Sequence, residues 1–138
     1  MTTPTHTPSQ TPPQPRTSPI LLAAALFGCT GIGLGAFGAH ALTHQLTPDQ
    51  LAVWHTGVQY QLYHSLGLLV LGLYAQSSPQ LQRTAACWAL GILLFSGSLY
   101  ALALGAPHLL GLLTPLGGVL FMAGWLSLIS VRSKVRAG

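Results

Sequence analysis

Residues 19–41 read PILLAAALFGCTGIGLGAFGAHA, a stretch in which Thr30 and His40 are the only polar side chains. At 1.5 Å per residue a helix of this length reaches about 34 Å. The hydrocarbon layer of a bilayer is ~30 Å thick, so the stretch can cross it. It is also rich in glycine, at positions 28, 31, 33, 35 and 38. Gly31 and Gly35 form a GxxxG that Ala39 extends, and small residues at that spacing let two helix backbones approach closely in lipid. Arg16 precedes the stretch and Ala39-His40-Ala41 has the A-x-A form of a signal cleavage site. Signal cores are short and leucine-rich, however, and have no use for a glycine face, so the segment reads as a retained first span.

The rest of the chain agrees with a membrane setting. Five Lys or Arg and one acid occur in 138 residues, against 50% hydrophobic residues. Soluble domains carry about a quarter of their residues as charges. The bases are not clustered for nucleic acid; Arg132, Lys134 and Arg136 directly follow an apolar run, where bases contact anionic lipid headgroups, but they read first as a solvated tail. Cys29 and Cys87 lie within apolar runs without a CxxC partner and read as inert buried thiols. Residues 1–18 are Thr, Pro, Gln and Ser with no apolar period, the composition of a disordered tail.

Three further spans follow. Thr47-Pro48-Asp49-Gln50 has the form of a helix start: Thr47 as N-cap, Pro48 first, Asp49 at the positive helix end and Gln50 at the capping-box position. The helix can run to Gln76, with Leu51, Trp54 and His55 in the membrane interface, where Trp is favoured. Gly57, Tyr60, His64, Gly67, Leu71 and Tyr74 recur at alternating four and three, which predicts one inward face. Ser77-Ser78-Pro79 ends it. The third span is Thr84 to Leu104 and the fourth Leu109 to Val131, with a distortion expected at Pro115-Leu116-Gly117-Gly118. The expected architecture is an all-α integral membrane four-helix bundle over 19–131, with a basic tail at 132–138. Four spans put all five bases on one side, and the positive-inside rule makes that side cytoplasmic, both termini included.

Topology then assigns depth. His40, Tyr60, Gln61, Tyr63, His64, Ser96, Ser98, Tyr100 and Thr114 all fall in the outer half, while the inner half reads as nearly featureless Leu, Ala, Gly and Val. A polar cluster is expected there, built on His40, Tyr60, His64, Ser96, Ser98, Tyr100 and Thr114. Helix packing is expected at Gly31, Gly35, Ala39, Gly57 and Gly67. His64, about 10 Å inside the outer boundary, reads first as a neutral histidine bonded to another span and second as a functional site. His40 and His44, with Asp49 and His55, make only a weak metal set. Haem between His40 and His64 lacks a CxxCH. Enzyme templates fail: one carboxylate gives no acid/base pair, and the glycines have no lysine for a phosphate loop.

Four motifs in order carry a resemblance: Gly35-Ala36-Phe37-Gly38-Ala39-His40, then Gly57-Val58-Gln59-Tyr60-Gln61-Leu62-Tyr63-His64-Ser65-Leu66, then Phe95-Ser96-Gly97-Ser98-Leu99-Tyr100, then Thr114-Pro115-Leu116-Gly117-Gly118 with Gly124-Trp125. From Leu22 to Leu128 the chain resembles the YgdD-like family of small inner-membrane proteins of unknown function, which has transmembrane relatives in animals. The resemblance implies a four-helix integral membrane protein and brings no activity, substrate or catalytic residue. The expectation is therefore a non-enzymatic membrane protein without cofactor or metal, in contact with lipid and self-associating or bound to a larger membrane protein. Two alternatives stand beside it: a small transporter or channel subunit using the polar cluster, and a haem, quinone or metal protein.

Overall fold

A computed structural model describes residues 18–74 and 78–135, with side chains to 131. Residues 1–17, 75–77 and 136–138 lie outside the described residues, as do the side chains of Arg132 and Lys134, and with them the expectations placed there. Among the described residues the protein is all-helical: α1 (Pro19–His40), α2 (Pro48–Tyr74), α3 (Pro79–Gly91), a π-helical turn (Ile92–Ser96), α4 (Gly97–Ala103) and α5 (Leu113–Val135). Short 3-10 turns at Leu42–His44 and His108–Leu112 lead into α2 and α5. Three apolar helical stretches, Pro19–His44, Pro79–Ala103 and His108–Val131, are long enough to cross a membrane. α2 matches them in length, but Gln59, Gln61, His64 and Ser65 dilute its apolar content.

The start of α2 is the capping box read from the sequence. The Thr47 backbone N–H donates to Gln50 Oε1 at 2.9 Å, and the Gln50 N–H donates to Thr47 Oγ1 at 3.3 Å. α3 starts at Pro79, five residues before the predicted Thr84, because Ser78 serves as N-cap and Pro79 sits at the first helical position. Proline fits there since that N–H has no helical partner to lose. Arg83 is therefore an exposed residue on α3 and not part of a connection.

The distortion expected at Pro115 is absent from α5. Pro115 is the third residue of that helix, within the first turn, where its missing N–H costs nothing. The irregularity lies across the interface, in the π turn of the α3–α4 rod. Gly117 faces it so closely that an added Cβ would sit 2.5 Å from the Phe95 backbone nitrogen.

Successive rods run antiparallel, as their contacts pair early residues with late ones. Along α1 and α2, Gly38 meets Trp54, Gly35 meets Val58, Gly31 meets Leu62 and Gly72 meets Leu21. Along α3–α4 and α5, Gly91 and Phe95 meet Phe121 and Gly117, and Ser98 meets Thr114. α2 and the α3–α4 rod form the middle pair, with α1 attached mainly to α2 and α5 to α3–α4. Among the described residues no Cα of α1 comes within 8 Å of one in α5. Two apolar clusters fill the middle: Leu68, Leu71, Trp88, Ile92 and Phe121 in one, Leu42, Trp54, Val58 and Ala103 in the other.

The glycine face of α1 differs from the predicted one. Gly28, Gly31, Gly35 and Gly38 all meet α2, whereas Ala39 is exposed. Four-residue steps on a helix advance 400°, so each drifts 40° off the face; steps of three, four and three hold it. The inward face of α2 is also rotated. Trp54, Gly57, Val58, Gln61, His64, Ser65, Leu68, Leu71 and Gly72 are buried, while Tyr60 lies at the edge and Tyr74 is 75% exposed. A single four-three stripe serves a helix with one neighbour, and α2 is not such a helix. It has two, α1 on the Val58–Gln61–Ser65 side and α3–α4 on the Gly57–His64–Gly67 side. Cys29, expected buried, is exposed.

Candidate functional site

The sequence-predicted polar residues do not form one cluster. Five of them fall into an aromatic nest around His64 and two hydrogen-bonded groups, His40 and Ser96 stand apart, and a further hydrogen-bonded group forms from residues not predicted. The nest lies at the middle of α2, α3 and α5. His64 is buried and stacks on Phe121, with ring centroids 3.6 Å apart and planes at 11°. Trp88 meets it edge-on at 5.7 Å and Tyr60 stacks at 6.2 Å. Tyr60 in turn packs on Phe95 at 4.5 Å, and Trp88 on Trp125 at 4.7 Å. Glycines make the space: a Cβ at Gly67 or Gly124 would run into the Trp88 indole.

Hydrogen bonding fixes the state of His64. Trp125 Nε1 lies 3.2 Å from His64 Nε2, and His64 Nδ1 lies 2.8 Å from the Tyr60 carbonyl oxygen. An indole N–H can only donate and a carbonyl can only accept. Nε2 must therefore accept and Nδ1 must carry the proton, which defines a neutral imidazole. His64 sits about 24 Å along α2 from Pro48, near mid-bundle. The early turns of α2 belong to the packed bundle: Trp54, expected in the lipid interface, is 2% exposed and donates from Nε1 to the Leu34 carbonyl at 2.9 Å.

Gln61 is the hub of the second group. Its amide nitrogen donates to the Phe27 carbonyl and to Thr30 Oγ1, each at 2.9 Å, and its Oε1 accepts from the Tyr100 hydroxyl at 2.8 Å. One side chain thus ties α1, α2 and α4 together. Tyr100 also packs on Trp54 at 4.7 Å. The third group is the pair Ser98 and Thr114, whose hydroxyls lie 2.7 Å apart and join α4 to α5.

The fourth group occupies the half predicted to be featureless. Thr84, buried on α3, bonds to the Ser127 hydroxyl, and Gln80 Nε2 donates to the Ser127 carbonyl at 3.0 Å. Thr84 follows Arg83 directly and Ser127 stands shortly before Arg132, so both have the look of ordinary polar content at span ends. Hydroxyl-bearing residues that fall on the same face of two antiparallel helices were the available signal.

Two predicted members stand apart. His40 is exposed, and its backbone carbonyl accepts from the Thr43 hydroxyl. The predicted companions of a metal set, His44, Asp49 and His55, are likewise exposed at that end. Ser96 is wholly buried, and its hydroxyl has no partner among the described residues. It closes the π turn, which displaces the carbonyl that a helical serine ordinarily reaches back to. Of the predicted packing glycines, Gly31, Gly35, Gly57 and Gly67 lie at helix contacts: Gly57 meets Tyr100 and Gly67 meets Trp88.

Sequence reasoning missed Trp125, Gln80, Thr84 and Ser127, and it counted Gln61 only as one polar residue of many. Trp125 was visible as a tryptophan deep inside an apolar span, away from the interfaces where that residue is favoured.

Comparison with known proteins agrees with the motif reading. The family model "Protein of unknown function (DUF423)" matches residues 34–118. A UPF0382 membrane protein of Staphylococcus epidermidis is 45% identical over 116 residues, covering 83% of this chain and 94% of its own. The UPF0382 membrane protein YwdK of Bacillus subtilis is 44% identical over 117 residues, covering 83% and 95%. The UPF0382 inner membrane protein YgdD of Escherichia coli is 40% identical over 114 residues, covering 77% and 82%. No solved structure matches the chain. The family model covers most of the helical core, and these relatives align over most of both partners, so the chain belongs to the DUF423 family of membrane proteins of unknown function.

Proposed function

We propose that the protein is a four-crossing integral membrane protein with a non-enzymatic, structural or interaction role, and that both termini face the cytoplasm. The observation that carries the reading is that the interior polar groups, the Ser96 hydroxyl excepted, bond to one another or to their own helix. Gln61 is bonded by α1 and α4, His64 by Trp125 and its own helix, Ser98 by Thr114, and Thr84 by Ser127. Interhelical bonds of this kind act as glue in lipid. No ionised side chain lies among them, and catalysis or ion transport would need groups left free for a substrate.

The fourth crossing is α2. Its 27 residues reach about 40 Å, it lies antiparallel along α1, and three of its polar side chains, Gln61, His64 and Ser65, turn inward while Gln59 is exposed. Its single acid, Asp49, stands at the first turn. Four crossings put Arg16, Arg83, Arg132, Lys134 and Arg136 at one end, which the positive-inside rule assigns to the cytoplasm. The relative called an inner membrane protein supports a plasma-membrane location. So small a bundle leaves apolar faces on α1 and α5 for lipid and for a second copy or a larger membrane protein. Reporter fusions after Gln45, Ser77, Ala106 and the C-terminus test the topology. The first and third are expected to report outside and the others inside; a C-terminus reporting outside overturns it. Solute flux in proteoliposomes that is lost in His64→Gln would overturn the non-transporting role.

A further inference from the structure

One of the contacts around the buried His64 leads to the outside of the bundle. His64 Nε2, the ring nitrogen not bonded to α2, accepts from the Trp125 indole at 3.2 Å. That indole is itself 54% exposed on the outside of the bundle. On the four-crossing reading, this places a lipid-facing tryptophan at mid-membrane, where the residue is out of its usual interfacial setting. A hydrogen bond and an edge contact to His64 and a tilted contact with Trp88 hold it there.

We propose that this is a binding site for the ring of a membrane-soluble quinol, with His64 Nε2 as acceptor for one ring hydroxyl and Trp125 as the gate. The inference rests on the four-crossing reading for its access from hydrocarbon. Turning the indole outward uncovers one acceptor atom and the face of Trp88 together. The walls are aromatic: Phe121 on the imidazole, Trp88 at its edge, Tyr60 beyond. Such walls favour a flat ring, since offset and edge-on ring contacts add to plain burial. A saturated acyl tail brings no donor for Nε2, and an ion meets no opposite charge there. A neutral aromatic ring carrying a hydroxyl meets both requirements. The nitrogen that accepts is fixed, because Nδ1–H is committed to the Tyr60 carbonyl. The proposal concerns binding and includes no electron transfer.

The test uses the full chain, 15N-labelled, in lipid nanodiscs. A decyl-substituted 1,4-benzoquinol is titrated in, and separately its dimethyl ether, which keeps the ring and chain but has no donor. The Trp125 indole N–H resonance, identified by its loss in Trp125→Phe, is expected to shift saturably with the quinol. The ether is expected to bind about tenfold more weakly, the worth of one hydrogen bond. Trp125→Phe removes the competing donor but keeps a ring, so the quinol should bind it several-fold more tightly, read as a larger thermal shift. Equal binding of quinol and ether would mean simple partitioning and would overturn the proposal. So would a Trp125→Phe protein that binds the quinol no more tightly than the parent. The reporter fusions read topology without any ligand, so failure of either reading is seen separately.

Discussion

At the scale of single residues, Gln61 and His64 show how a chain without interior charge specifies its helix contacts. Gln61 spends its amide on two helices at once. Replacing it with leucine keeps the volume but strands the Tyr100 hydroxyl, while Thr30 can still bond its own helix at the Leu26 carbonyl. Interhelical bonds in membrane proteins average about 0.6 kcal/mol and reach about 1.7. Gln61→Leu is therefore expected to cost ~1–2 kcal/mol in a reversible unfolding titration in mixed micelles. In the Tyr100→Phe background the cost should shrink, since the same bond is already gone; equal costs in both backgrounds would show that the pair is not coupled. His64 was legible as a buried residue but not as part of a nest. Its partner Trp125 lies 61 positions away on a helix the sequence pattern links to it only through a bundle geometry. His64→Ala should destabilise by about 2–3 kcal/mol, through a cavity under Phe121 and an orphaned indole N–H, whereas Trp125→Phe should cost less because the ring stays.

At the scale of elements, glycine decides which backbones touch, and the glycines are not equivalent. Gly117 packs on the Phe95 backbone in the π turn, so an alanine there meets atoms that cannot rotate away. Gly33 and Gly97 have nothing within 4 Å of an added Cβ. Gly117→Ala is expected to destabilise by about 1–3 kcal/mol, the cost of overpacking. Gly33→Ala and Gly97→Ala should be neutral or stabilise by ~0.5–1 kcal/mol, by restricting the unfolded chain. The same unfolding titration ranks all three, and a Gly33→Ala protein weaker than Gly117→Ala would contradict these contacts. Element identity and the α2 cap were legible because spans and capping boxes are local patterns. Which glycines face inward was only half legible: a four-residue repeat found Gly31 and Gly35, but helical drift carries Ala39 off the face and brings in Gly28 and Gly38. The π turn had no sequence signal of its own, since it answers to a glycine on another helix.

At the scale of the whole molecule, the order of the rods matters more than their number. The sequence divides into spans at its turns, but nothing local says which non-consecutive spans meet. In the folded chain α1 depends on α2 for nearly all its packing, while α5 reaches α2 through Phe121 and Trp125. Disulfide trapping tests that order directly. With Cys29→Ala and Cys87→Ala as background, Gly28→Cys with Ser65→Cys places two thiols where a Cβ at residue 28 lies 3.8 Å from Ser65 Oγ. This pair should oxidise within one chain, because the added Cβ at one position stands in contact with the place the other's sulfur takes. Ala25→Cys with Met122→Cys puts one thiol on the exposed face of each outer helix, α1 and α5, which do not meet. It should form no bridge within a chain. A bridged dimer from that second pair, seen as a doubled mass on non-reducing gels and absent from the single variants Ala25→Cys and Met122→Cys, would place α1 of one copy against α5 of another and make those apolar faces an interface between copies. A fast bridge within one chain would mean that α1 and α5 do meet, and a rod order with those two helices on opposite flanks would fall.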